Sequence, residues 1–161
     1  MTETNAGTAS ELEDILHRLE SAKAGLIEAI ESSSADSFDR QNAAGESVKK
    51  TLERAADEVN FYYGRLVSKA LNLPQPPCIG TADFLSIREA LMSLQVAHRR
   101  FGNLLHDLMP GDLDRATEDD HAAYNLRQVL EMAIAHYNRR SQQLRDLAPK
   151  KRRRAPNPRP Q

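Results

Sequence analysis

The sequence has no tryptophan and a single cysteine, Cys78, so no disulfide closes within the chain and no paired-cysteine metal set exists. Aromatic residues make up only 5% of the chain, whereas Ala, Leu, Glu and Arg are plentiful. Helices favour the second group and strands the first, so the composition points to an all-α fold. No apolar run reaches the roughly eighteen residues that a membrane span needs, and MTETNAGTAS has neither the basic start nor the apolar run of an export signal. A cytoplasmic protein with no membrane partner is the expectation. A Gly-rich phosphate loop, a serine placed with His and Asp, and an internal repeat are also missing.

The chain does have enough apolar material for one core: 161 residues, 40% of them hydrophobic, suit a single domain. Its net charge of −1 conceals an asymmetry. Residues 150–161 hold six of the 22 basic residues and none of the 23 acids, which leaves the body at −7 and the tail at +6. Residues 149–161, PKKRRRAPNPRPQ, have almost nothing to bury and are expected to be a disordered basic tail, either a contact for polyanions or a solubilising segment.

Apolar residues spaced by threes and fours predict four helices. Residues 1–9 read as a flexible arm. A capping-box pattern at Ser10 and Glu13 then opens a first helix over about 10–31, with Leu12, Ile15, Leu19, Ala22, Leu26 and Ile30 as its stripe. The second helix spans about 47–73, the third 82–108 and the fourth 125–147. Their faces can be buried only against one another, which makes residues 10–148 a four-helix bundle with no strand signal. The proline-rich PQPPCIG connection, extended at about 3 Å per residue, is long enough to return along a helix, so helices two and three are expected to run parallel. Cys78 on that connection reads as a bystander thiol, with no His or helix start nearby to activate it.

Candidate site residues lie on three helices. In the fourth, Leu126, Leu130, Ala133, Tyr137, Leu144 and Leu147 form a stripe broken only by Arg140, and His136 sits one turn before Arg140. That spacing lets two histidines hold one metal, but the second residue here is an arginine, which offers donors only. Arg54 flanks the second helix's stripe, with Asp57 and Glu58 as its expected ion-pair partners. His98 falls on the buried seam of the third helix, as a hydrogen-bonded core residue or as a metal ligand, and His106 falls off that seam.

The segments ELEDILHRLESAKAGLIEAI, GESVKKTLERAADEVNFYYGRL and VLEMAIAHYNRRSQQL together resemble the DinB-like (DinB/YfiT-like) superfamily of bacterial helical bundles, over about Leu12 to Leu147. The resemblance implies an up-down-down-up bundle with a three-histidine site that binds nickel or zinc and, in members that keep it, serves thiol S-transferases and isomerases. Here Glu46-Ser47 stands for the family's Trp-Ser, Arg54 for its first histidine and Arg140 for its third, while His136 matches the second and Gln143-Leu144 keep the trailing pattern. On this basis no metal or other cofactor is expected, and the former pocket becomes a cationic cluster of Arg54, His136 and Arg140 able to take a small anionic ligand. The implied protein is then non-catalytic or ligand-binding. Two alternatives stand beside it: a metal-dependent transferase or hydrolase whose nickel or zinc site is rebuilt with His98, Glu58 or Asp57, and a structural bundle whose arginines are salt-bridged plugs and which forms a homodimer or binds a partner, with the basic tail as its address.

Overall fold

A computed structural model describes residues 3–75 and 81–148; Cys78 and the basic tail lie outside the described residues. Four helical rods form the body. The first is α1, Glu3–Glu31, and the second is a continuous run of α2 (Val48–Asp57), a π-helical segment (Glu58–Tyr63) and α3 (Gly64–Ala70). The third and fourth are α4, Ile87–Leu105, and α5, Leu126–Leu147. Side-chain caps open three of them: Ser47 accepts from the Lys50 amide, Ser86 from that of Glu89, and Asn125 forms a reciprocal box with Gln128. Each satisfies amides that the first turn leaves free, an effect of about 1 kcal/mol per cap.

Contacts between the rods fix their directions. Glu11 pairs with Arg127 and Arg18 with Glu131, so α1 and α5 run parallel. Glu58, in the middle of the second rod, meets Arg140 on α5, whereas Leu66, near that rod's end, accepts from Thr117 ahead of α5, so these two run antiparallel. The approach to α4 sits at the beginning of the second rod. There the Ala82 amide donates to Asp57 (3.0 Å), the Phe84 amide to Glu53 (3.1 Å), and Lys49 Nζ to the Phe84 carbonyl (2.9 Å). The connection from α3 therefore returns the length of the rod, and α4 runs parallel to it. The order is up-down-down-up.

The core is made of the expected stripes: Leu12, Ile15, Leu19, Leu26 and Ile30 of α1 lie against Leu126, Leu130, Ala133, Tyr137 and Leu144 of α5, all buried. Four local features differ from the sequence reading. Helix α1 begins at Glu3, so Ser10 and Glu13 lie in its interior and do not form its cap. Helix α4 begins at Ile87 because Ser86 takes the cap, which leaves buried Phe84 on the extended approach. Two three-residue strands, β1 (Ala116–Glu118) and β2 (Ala123–Asn125), pair antiparallel ahead of α5, where the sequence reading had no strand. They are too short for alternation to be visible, and a tertiary bond holds them: buried Thr117 Oγ1 donates to the Leu66 carbonyl at 2.8 Å.

The fourth difference is the π segment. The Gly64 amide reaches back to the Val59 carbonyl, five residues away, and a Cβ at position 64 would lie 3.1 Å from that oxygen. Glycine relieves this crowding. Such wide turns within a helix are often found at functional sites, and this one begins at Glu58.

Candidate functional site

Arg140 is the charged residue that interrupts the apolar stripe of α5, and it does face inward, 7% exposed. A guanidinium so placed needs an acid, because it stays protonated and its burial without a partner is costly. Glu58, at the start of the π segment, supplies one. Its Oε1 receives Arg140 Nη2 and its Oε2 meets Nδ1 of His136, one turn before Arg140 on α5. Arg140 Nη1 donates further to Gln143 Oε1 at 2.8 Å. The His136 ring is 1% exposed and lies between two aromatic neighbours, with ring centroids 5.3 Å from Tyr63 and 5.8 Å from Tyr137. Among the described residues, His136 Nε2 and Arg140 Nε have no hydrogen-bond partner.

Burial pushes the Glu58 carboxyl upward, but the hydrogen bond and charge of His136 and then the charge of Arg140 outweigh it and leave Glu58 below the ordinary glutamate range. The Tyr63 hydroxyl moves upward, through burial first and then through the Glu58 charge. Glu58, His136 and Arg140 thus form an internal ion triad that joins the second rod to α5.

Arg54 takes no part in it. Its guanidinium pairs with Glu46 in the preceding loop at 2.7 Å and is about half exposed, making no hydrogen bond or ion pair with His136, Arg140, Asp57 or Glu58. Asp57 instead caps the approach to α4 through the Ala82 amide. The expected cationic cluster of Arg54, His136 and Arg140 is therefore corrected: a carboxylate, Glu58, meets the two α5 residues, and the negative group expected from a ligand is provided by the chain. The signal for Glu58 was present in the sequence as a buried arginine on a helix stripe, which demands an acid opposite. The sequence did not say which acid.

His98 occupies a separate buried position. Its Nδ1 lies 2.8 Å from the Tyr137 hydroxyl and its Nε2 3.1 Å from Glu20 Oε1. A carboxylate only accepts, so Nε2 carries the proton toward Glu20 and Tyr137 donates to Nδ1. His106 is exposed beside Asp107. Burial holds the His98 pKa below its ordinary value of 6.5, against the raising effect of Glu20 and with Lys23 lowering it further. The unfolded chain therefore binds a proton at His98 before the folded one does, and stability falls as pH drops below about 6.5 toward the folded pKa. The variant H98Q is expected to flatten the loss of stability between about pH 6.5 and pH 5, measured by urea unfolding at a series of pH values. An unchanged slope would show that other groups set it.

No protein-family model matches the chain, and no curated protein matches it. Among solved structures, the fold is similar to that of YfiT from Bacillus subtilis, with a TM-score of 0.66 and 20% sequence identity over 86% of each chain. That protein is described as a probable metal-dependent hydrolase with an unusual four-helix bundle topology. A likeness at this identity establishes the fold.

A divalent ion has no ready ligand set among the described residues: no three His, Cys, Asp or Glu side chains converge as one would. Glu58 and His136 make two donors, while the third partner, Arg140, has no lone pair to give and already occupies one carboxylate oxygen. Helices among the described residues include none long and apolar enough to cross a membrane.

Proposed function

We propose that this chain is a non-catalytic, structural bundle of the DinB-like type, in which the position of the metal triad is closed by an ion triad of the chain's own. One observation carries this reading: the Glu58 carboxylate is shared between His136 and Arg140 inside the bundle. A catalytic divalent ion needs three protein ligands and an open position for water or substrate. Arg140 competes for the carboxylate and places a positive charge where the ion would sit, so entry would cost the ion pair as well as the charge repulsion. What remains is a helical frame in which Glu58, at the start of the wide π turn, is tied to α5 by a salt bridge.

The test is metal content. Purified protein equilibrated with zinc or nickel and then passed over a desalting column is expected to hold well under one ion per chain by elemental mass spectrometry. A stoichiometric ion in the unmodified chain would overturn the reading and would require Glu58 to release Arg140.

A further inference from the structure

A cavity of about 440 Å³ lies between the second rod and α4. This volume is within the range of roughly 300–1,000 Å³ typical of small-molecule sites. The chain has four phenylalanines, and three of them, Phe61, Phe84 and Phe101, line this one space. So does Ser68, whose hydroxyl is fully buried and has no hydrogen-bond partner among the described residues. Buried Ser141, inside α5, bonds the Tyr137 carbonyl one turn back. Ser68 makes no such bond. A buried hydroxyl left without a partner is costly in a finished core and useful where something else will supply the partner.

The cavity continues into a shallow groove on the outer side of α4, which shares Asn60, Ser93, Ala97 and Arg100 with it. Arg88 lines the groove further out. Both arginines are exposed, and neither has an ion-pair partner among the described residues. The path thus runs from an aromatic interior with one unpaired hydroxyl, where the Asp57 carboxylate is held by the Ala82 amide, to a mouth with two unpaired guanidinium groups near Glu89, whose carboxylate is held by the Leu85 amide.

We propose that this cavity binds a small aromatic carboxylate that carries a ring hydroxyl, its ring among Phe61, Phe84 and Phe101, that hydroxyl at Ser68 and its acidic group at Arg100. The aromatic side chains offer ring faces and edges to a flat apolar body, and a guanidinium holds a carboxylate through two parallel hydrogen bonds. Arg88 adds attraction to the same charge from the groove. This site uses none of Glu58, His136 and Arg140, so it stands or falls separately from the reading of the ion triad.

The experiment titrates the full chain with a naphthoate that bears a hydroxyl on its far ring and, in parallel, with the uncharged naphthamide of the same hydroxylated ring, followed by ligand fluorescence and calorimetry at low salt. One naphthoate per chain is expected, bound roughly tenfold more tightly than naphthamide through the charge-assisted bond to Arg100. The surface variant R100Q should erase that preference and leave naphthamide binding as it was. S68A should weaken both ligands while the free protein unfolds at the same or a higher temperature, because the substitution removes an unpaired hydroxyl; a serine with a structural role would lower the unfolding temperature instead. A97L, which fills the cavity from α4, should abolish binding of both. Absence of binding, equal affinity for the two ligands, or binding that persists in a folded A97L chain would each overturn the proposal.

Discussion

Replacing Glu58 with glutamine is expected to destabilise the protein by about 2–4 kcal/mol. Removing one partner of a buried ion pair typically costs about 3–5 kcal/mol, and the lower figure applies because roughly a third of the Glu58 side chain is in water. The loss comes mostly from what is left behind: Arg140, 7% exposed, would keep its charge with only Gln143 beside it. For a domain of this size, about 2–4 °C per kcal/mol makes the fall in unfolding temperature roughly 5–15 °C. Adding R140M to E58Q should recover most of it, since the orphaned charge goes as well. A double-mutant cycle over Glu58 and Arg140 measures the coupling, and additive losses would show that the pair does not hold the rods together. The acid limb provides a second reading. Glu58 titrates below the ordinary glutamate range, so its contribution is complete above that range and is lost as pH falls through its folded pKa. The E58Q chain should therefore lose less stability than the parent on acidification below about pH 4.5.

The second large effect expected is a gain. Arg140→His should create a zinc or nickel site from nothing measurable to micromolar affinity or tighter, because Glu58 and His136 already stand together and the substitution adds a third donor one turn along α5. The family resemblance alone would require Arg54→His as well. The structure removes that requirement, since Arg54 is held at the surface by Glu46 while Glu58 reaches α5 from the same rod. Arg54→His added to Arg140→His should therefore change the affinity little. Calorimetry at neutral pH distinguishes the cases: binding that appears only in the double variant would mean that Arg54, and not Glu58, marks the third ligand position. The E58Q substitution in the Arg140→His background should abolish the new site.

Much of the frame was legible because helical periodicity is a local signal. The stripe from Leu12 to Ile30 and that from Leu126 to Leu144 each fix which side of a helix is buried without reference to any other residue. The long proline-bearing connection permitted the parallel pairing of α4 with the second rod through its reach, and the contacts of Ala82 and Phe84 with Asp57, Glu53 and Lys49 place it there. Where local signals competed, tertiary context chose. Ser10 and Glu13 form a good cap only if the preceding chain leaves the helix, and here the helix continues back to Glu3. Phe84 matched the α4 spacing, but Ser86 stopped the helix short of it, and the Glu53 carboxylate took its backbone amide. Neither the π turn nor the short hairpin has a sequence period of its own, and each depends on bonds to distant segments.

The site divides in the same way. The sequence by itself determined that His136 and Arg140 share a face of one helix and that His98 lies on a buried seam, because each statement needs only the spacing of neighbours along one chain segment. It also determined that an arginine on such a stripe must find an acid. Which acid answers is a property of the assembled bundle: Glu58 and Arg140 are 82 residues apart, and they meet because α5 runs antiparallel to the second rod at the level where the π segment begins. Arg54, one turn before Glu58, was equally available in the sequence and was drawn to Glu46 instead. A helix stripe says that a side chain faces inward; only the packing of one rod against another decides what it meets there, and here that decides between a cationic pocket and a closed ion triad.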